Sequence, residues 1–79
     1  MNNKLYAKQN IVANIYEYTS LLRQSLEANP SHEFYDEVLE LLNGFEYSFD
    51  ESVDHMNSLT CEQALETFMG DVESYGFNL

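Results

Sequence analysis

Seventy-nine residues carry fourteen Asp and Glu against three Lys and Arg, a formal net charge of −11 at pH 7. A chain of this length fits one small domain that buries only about 60% of its unfolded surface, yet its six Tyr and five Phe supply enough apolar bulk to exclude disorder from charge alone. The single cysteine, Cys61, excludes an internal disulfide, and no apolar run is long enough to span a membrane or to serve as a signal peptide, so the expectation is a soluble, cytoplasmic protein.

The first predicted element runs over Lys4–Ala28, where Ile11, Ile15, Tyr18, Leu22 and Leu26 recur at helical spacing and share one arc with Val12 and Thr19. Asn29-Pro30 stops it, because a residue before proline disfavours the helical region. Proline suits a first helical position, so Pro30 is expected to open the second helix with Asn29 as its cap. Phe34, Val38, Leu41 and Phe45 form the seam of that helix, widened by Tyr35, Leu39 and Leu42. Asn43-Gly44 looks like a stop, but Phe45, Phe49, Val53 and Met56 keep the same phase beyond it. One continuous helix from about Ser31 to Asn57 is therefore expected, although Ser48-Phe49-Asp50-Glu51 offers a capping box for a fresh start. Thr60 with Gln63 makes another capping box for a third helix, whose seam is Cys61, Leu65, Phe68, Val72 and Tyr75. Gly76 ends it, and Phe77 follows where a Schellman motif places an apolar contact. No period-two alternation appears. The fold class expected is all-α: residues 1–79 form a single domain, a small antiparallel bundle of two long helices and one shorter, with dimerisation as one way to complete it.

The catalytic and metal patterns that can be sought all fail on residue identity. His32-Glu33-Phe34-Tyr35-Asp36 begins like the zinc-protease HExxH pattern, but Asp36 stands where the second histidine is needed. Asp50-x-Ser52-x-Asp54 resembles a calcium loop with His55 in place of its glycine and Cys61 at its twelfth position. Glu51 and His55 stand four apart as a surface pair. Cys61 begins a helical seam and reads as a buried thiol. Three glycines cannot build a phosphate-cradling loop. The expectation is a non-enzyme without cofactor or metal.

What stands out is where the charge lies. Residues 1–23 hold all three bases and one acid, net +2, whereas residues 24–79 hold thirteen acids and no Lys or Arg, net −13. Direct nucleic-acid binding and anionic membranes are disfavoured by that balance. With Glu33 at zero on a helical wheel, Asp36, Glu37 and Glu40 fall within about 60° of it. If the helix continues, Glu51 and Asp54 return to that line, Asp50 flanks it, Glu46 drifts towards the apolar edge, and Tyr47 lies among the acids. Eight acids then occupy 22 residues, or about one charge per 4 Å, close to the ~3.4 Å per phosphate of a DNA strand. Eight like-charged pairs three or four apart would cost roughly 2–3 kcal/mol together at low salt. A solvated face needs no such density. A functional acidic surface made of Glu33, Asp36, Glu37, Glu40, Glu46, Tyr47, Asp50, Glu51 and Asp54 accounts for it, with a basic protein surface as the partner.

In size, acidity and lack of a catalytic motif, the chain resembles the small phage-encoded DNA-mimic inhibitors, the anti-CRISPR and antirestriction proteins. The likeness is compositional and carries no diagnostic motif, so no residue role transfers with it. It implies a cytoplasmic inhibitor in a bacterial host that occludes the nucleic-acid site of a CRISPR effector, restriction enzyme or other DNA-binding protein. The alternative is a helical adaptor, homodimer-forming module or antitoxin-like neutraliser that works through an apolar face.

Overall fold

A computed structural model of the protein describes residues 3–77, with side chains from Ala7 onward. It is a three-helix bundle: α1 spans Asn3–Ala28, α2 spans Tyr35–Ser52 and runs on through a 3-10 turn at Val53–His55, and α3 spans Ser58–Ser74. There are no strands among the described residues. Nor is any helix there long and apolar enough to cross a membrane.

Each helix buries the face its apolar spacing marks. Ile15, Leu22 and Leu26 of α1, Val38, Leu42 and Phe49 of α2, and Cys61, Phe68 and Val72 of α3 are all buried. They gather into two neighbouring clusters. Ile15, Phe49 and Cys61 meet at one level, while Leu22, Leu26, Val38, Leu42, Phe68, Val72 and Phe77 meet at the other. Ascending numbers in α1 and α3 thus match descending numbers in α2, so α2 runs antiparallel to both. Phe45 links the levels: it stacks on Phe68 with centroids 4.2 Å apart and on Phe49 at 5.7 Å. Among the described residues the one buried polar side chain, Thr19, donates its hydroxyl to the Tyr16 carbonyl at 3.0 Å.

The helix passes through Gly44 without a break. A helix-interior glycine costs about 1 kcal/mol relative to alanine, a cost that the packing on both sides of it carries. The expected start at Ser31 is not what forms, because Asn29 is occupied elsewhere. Its side-chain amide donates to the Ser25 carbonyl at 2.7 Å and its backbone N–H to that of Leu26 at 3.0 Å, which closes α1 rather than capping α2. Residues 29–34 form turns instead, and His32 Nδ1 accepts from the Phe34 N–H at 3.0 Å. The second helix is therefore shorter than expected, and the bundle has one long helix and two of 18 and 17 residues.

The start of α3 also differs in detail. Asn57, not Thr60, is its cap: Asn57 Oδ1 accepts from the Thr60 N–H at 2.8 Å and from the Thr60 hydroxyl at 2.9 Å. Thr60 is the third helical residue and receives the capping bond. At the other end Gly76 takes φ +87°, the left-handed conformation that lets the chain reverse. Its N–H donates to the Glu73 carbonyl at 2.9 Å, and Phe77 then folds back into the core.

Candidate functional site

The three seams between helices are not equally closed. α1 packs extensively on both other helices, and α2 and α3 touch each other least. Along that looser seam lies an open groove of ≈ 820 Å³. Leu41, Phe45, Ala64 and Phe68 lie in it, Glu37 and Glu40 stand on its α2 side, and Asp71 stands on its α3 side. Among the described residues no lysine or arginine lines it.

The acids expected to form one stripe divide among four environments. Glu33 lies in the turn before α2 and is not on the helix. Glu46 is half-buried and ion-paired with Arg23, whose guanidinium also reaches Asn43 Oδ1 at 3.3 Å. Asp50 accepts from the Tyr16 hydroxyl at 3.1 Å. Burial foremost, then this bond and the negative charges of Asp50 and Asp54, push that hydroxyl above its ordinary value. Glu46 and Asp50 therefore fasten α2 to α1. Glu37 and Glu40 rim the groove. Asp36, Tyr47 and Glu51 remain on the outward face, with Tyr47 71% exposed, and Asp54 is exposed in the following 3-10 turn.

The charge density is accordingly lower than the wheel implies. Of the eight like-charged pairs, only 36/40, 37/40, 46/50 and 62/66 lie wholly within α-helices, a cost of about 1–2 kcal/mol at low salt. The 46/50 pair is further relieved by Arg23 and Tyr16. Asp36 and Glu37 occupy the first turn of α2, where the helix dipole favours them.

Several of the other residues singled out by pattern have structural partners. His32 packs against Phe77 with centroids 4.2 Å apart and the rings tilted by 37°. Cys61 is fully buried beside Ile15 and Phe49. Asp50, Ser52 and Asp54 run through the end of α2 into the 3-10 turn, where the Ser52 hydroxyl donates to the Ser48 carbonyl at 2.7 Å. The groove was not legible from single-helix wheels, which place Leu41 and Phe45 on the seam without showing that the seam stays open. A sign of it is the set of small residues Gly44, Ser48 and Ala64 among the residues that line it. No family model, curated protein or solved structure matches the chain.

Proposed function

We propose that this protein is a non-enzymatic acidic inhibitor that binds the basic nucleic-acid-binding surface of a target protein, of the CRISPR-effector or restriction-enzyme kind, and blocks nucleic-acid access by mimicry. The observation that carries this reading is the outward face of α2. Asp36 and Glu51 are exposed there with Tyr47, Asp54 is exposed in the 3-10 turn that follows, the groove-rim acids Glu37 and Glu40 are exposed beside them, and no Lys or Arg follows Arg23 in the chain. A field of one sign steers a basic surface towards it, and an exposed tyrosine is the kind of side chain that anchors an interface.

The test is a cleavage panel of restriction and RNA-guided nucleases with the protein added at stoichiometric amounts. At least one enzyme should lose cleavage, and inhibition should weaken steeply as salt rises from about 50 to 200 mM. Asp36→Asn, Glu51→Gln and Asp54→Asn together keep side-chain shape and leave the groove rim untouched. This triple variant should lower affinity for the inhibited enzyme at least about tenfold and flatten its salt dependence. Unchanged affinity would remove the outward face from the interface. An inhibited enzyme that still holds its nucleic acid would refute mimicry.

A further inference from the structure

The groove between α2 and α3 calls for an occupant of its own. It is an open trough between two antiparallel helices, not an enclosed cavity, and it follows α2 from Glu37 to Ser48, roughly 16 Å at the helical rise. About three turns of helix would fill it. Its interior is apolar, with the stacked rings of Phe45 and Phe68 beside Leu41 and Ala64. Its α2 edge carries Glu37 and Glu40, and its α3 edge carries Asp71 beyond the neutral Thr60, Gln63 and Thr67.

Gly44 adds an independent observation. It lines the groove, and a Cβ built there would meet nothing within 4 Å. Packing inside the chain therefore does not require glycine at this interior helical position. What the missing side chain does provide is a low point in the α2 wall, where another backbone can come close.

We propose that this groove docks one amphipathic, basic helix of a partner protein, completing a four-helix arrangement. The partner's apolar residues, recurring every three to four positions, would cover Leu41 and Phe45, and its Lys or Arg residues on either flank would meet Glu37, Glu40 and Asp71. A second copy of this chain fits poorly, since it would bring its own share of a −11 charge against carboxylates that already lack counter-charge. The inference stands whether or not the outward face of α2 imitates nucleic acid.

A labelled synthetic helix tests it: a peptide of about 16 residues with Leu at three- and four-residue spacing flanked by Lys, compared with a scrambled isomer of identical composition. Fluorescence anisotropy should show the patterned peptide binding at least about tenfold tighter than the isomer. Gly44→Ala, which raises the low point by one methyl group, should weaken binding about threefold. Gly44→Leu, which fills the low point without altering charge, should weaken it at least about tenfold, with helicity checked by circular dichroism. Glu37→Lys with Glu40→Lys, both at exposed positions, should also abolish binding and so supplies a second route should Gly44→Leu unfold. Equal binding of the two peptides, or full binding by folded Gly44→Leu, overturns the proposal. So does a wild-type dimer that Gly44→Leu converts to monomer, because the occupant would then be a second copy. The ridge variant Asp36→Asn, Glu51→Gln, Asp54→Asn should bind the peptide normally, which separates failure here from failure of the inhibitor reading.

Discussion

Substituting the two glycines inside helices tests the backbone path directly. Gly44 lies near the middle of α2 and Gly70 within α3, and a Cβ at either would meet nothing within 4 Å. Neither alanine variant introduces a clash, so the change reduces to helix propensity and unfolded-chain entropy, about 0.8–1 kcal/mol of stabilisation each. For a domain of this size, 1 kcal/mol raises Tm by roughly 4–8 °C. Urea and thermal unfolding followed by far-UV circular dichroism would measure both variants. Gly70, in a helix with no competing break signal, serves as the internal reference for Gly44. If Gly70→Ala stabilises and Gly44→Ala destabilises, the chain at Gly44 is not in a regular right-handed helix, and the continuity of α2 falls. If neither changes stability, propensity is not what limits these helices.

Three further outcomes follow from contacts already described. Phe68→Ala removes the ring that stacks on Phe45 and meets Tyr18 edge-on with centroids 5.8 Å apart. It should cost about 3–5 kcal/mol, enough to leave a domain this small largely unfolded; a loss under about 1 kcal/mol by urea titration would refute the packing. Asn57→Ala should cost about 1 kcal/mol by removing the cap of α3, while Gln63→Ala should be close to neutral because Gln63 is not a capping partner. Tyr18 is held above its ordinary hydroxyl value near 10 by burial and then by the charge of Glu73. A raised folded-state value means its stabilising contribution is present below the unfolded value and is lost as pH rises through the folded one. Stability measured by urea titration from about pH 9 to 11 should therefore fall less steeply in Tyr18→Phe than in the wild type, and identical slopes would refute that assignment.

Helical phase was the legible part of this fold. Phe45, Phe49, Val53 and Met56 continue the seam of Val38 across Gly44, and a period kept over so many residues outweighs one unfavourable glycine. The start of α2 was not legible, since Asn29 could cap forwards or close backwards and Pro30 is compatible with either. Two bonds back to Ser25 and Leu26 and the docking of His32 on Phe77 decide it, and the last of these joins residues far apart in the chain. The same limit applies to the acids. A wheel places Asp50 on the flank of the stripe and Glu46 towards the apolar edge, but only the approach of α1 shows that Arg23 and Tyr16 take them. Which flank of α2 stays open is a property of three helices together.

The extensive contact between α1 and α3 bears on how the bundle comes apart. These helices lie on either side of α2 in sequence, so their shared surface closes a long loop, as does the His32–Phe77 contact across 45 residues of sequence. Loop closure is an entropic cost that must be met before such contacts return anything. An α1–α2 hairpin alone would leave the α3-facing side of α1 wetted and would lack Phe68, Val72 and Phe77 from its larger apolar cluster. Such a fragment has little to hold it. The protein should melt in a single cooperative step, with the C-terminal helix as an obligatory part of the folding unit and not a detachable third layer.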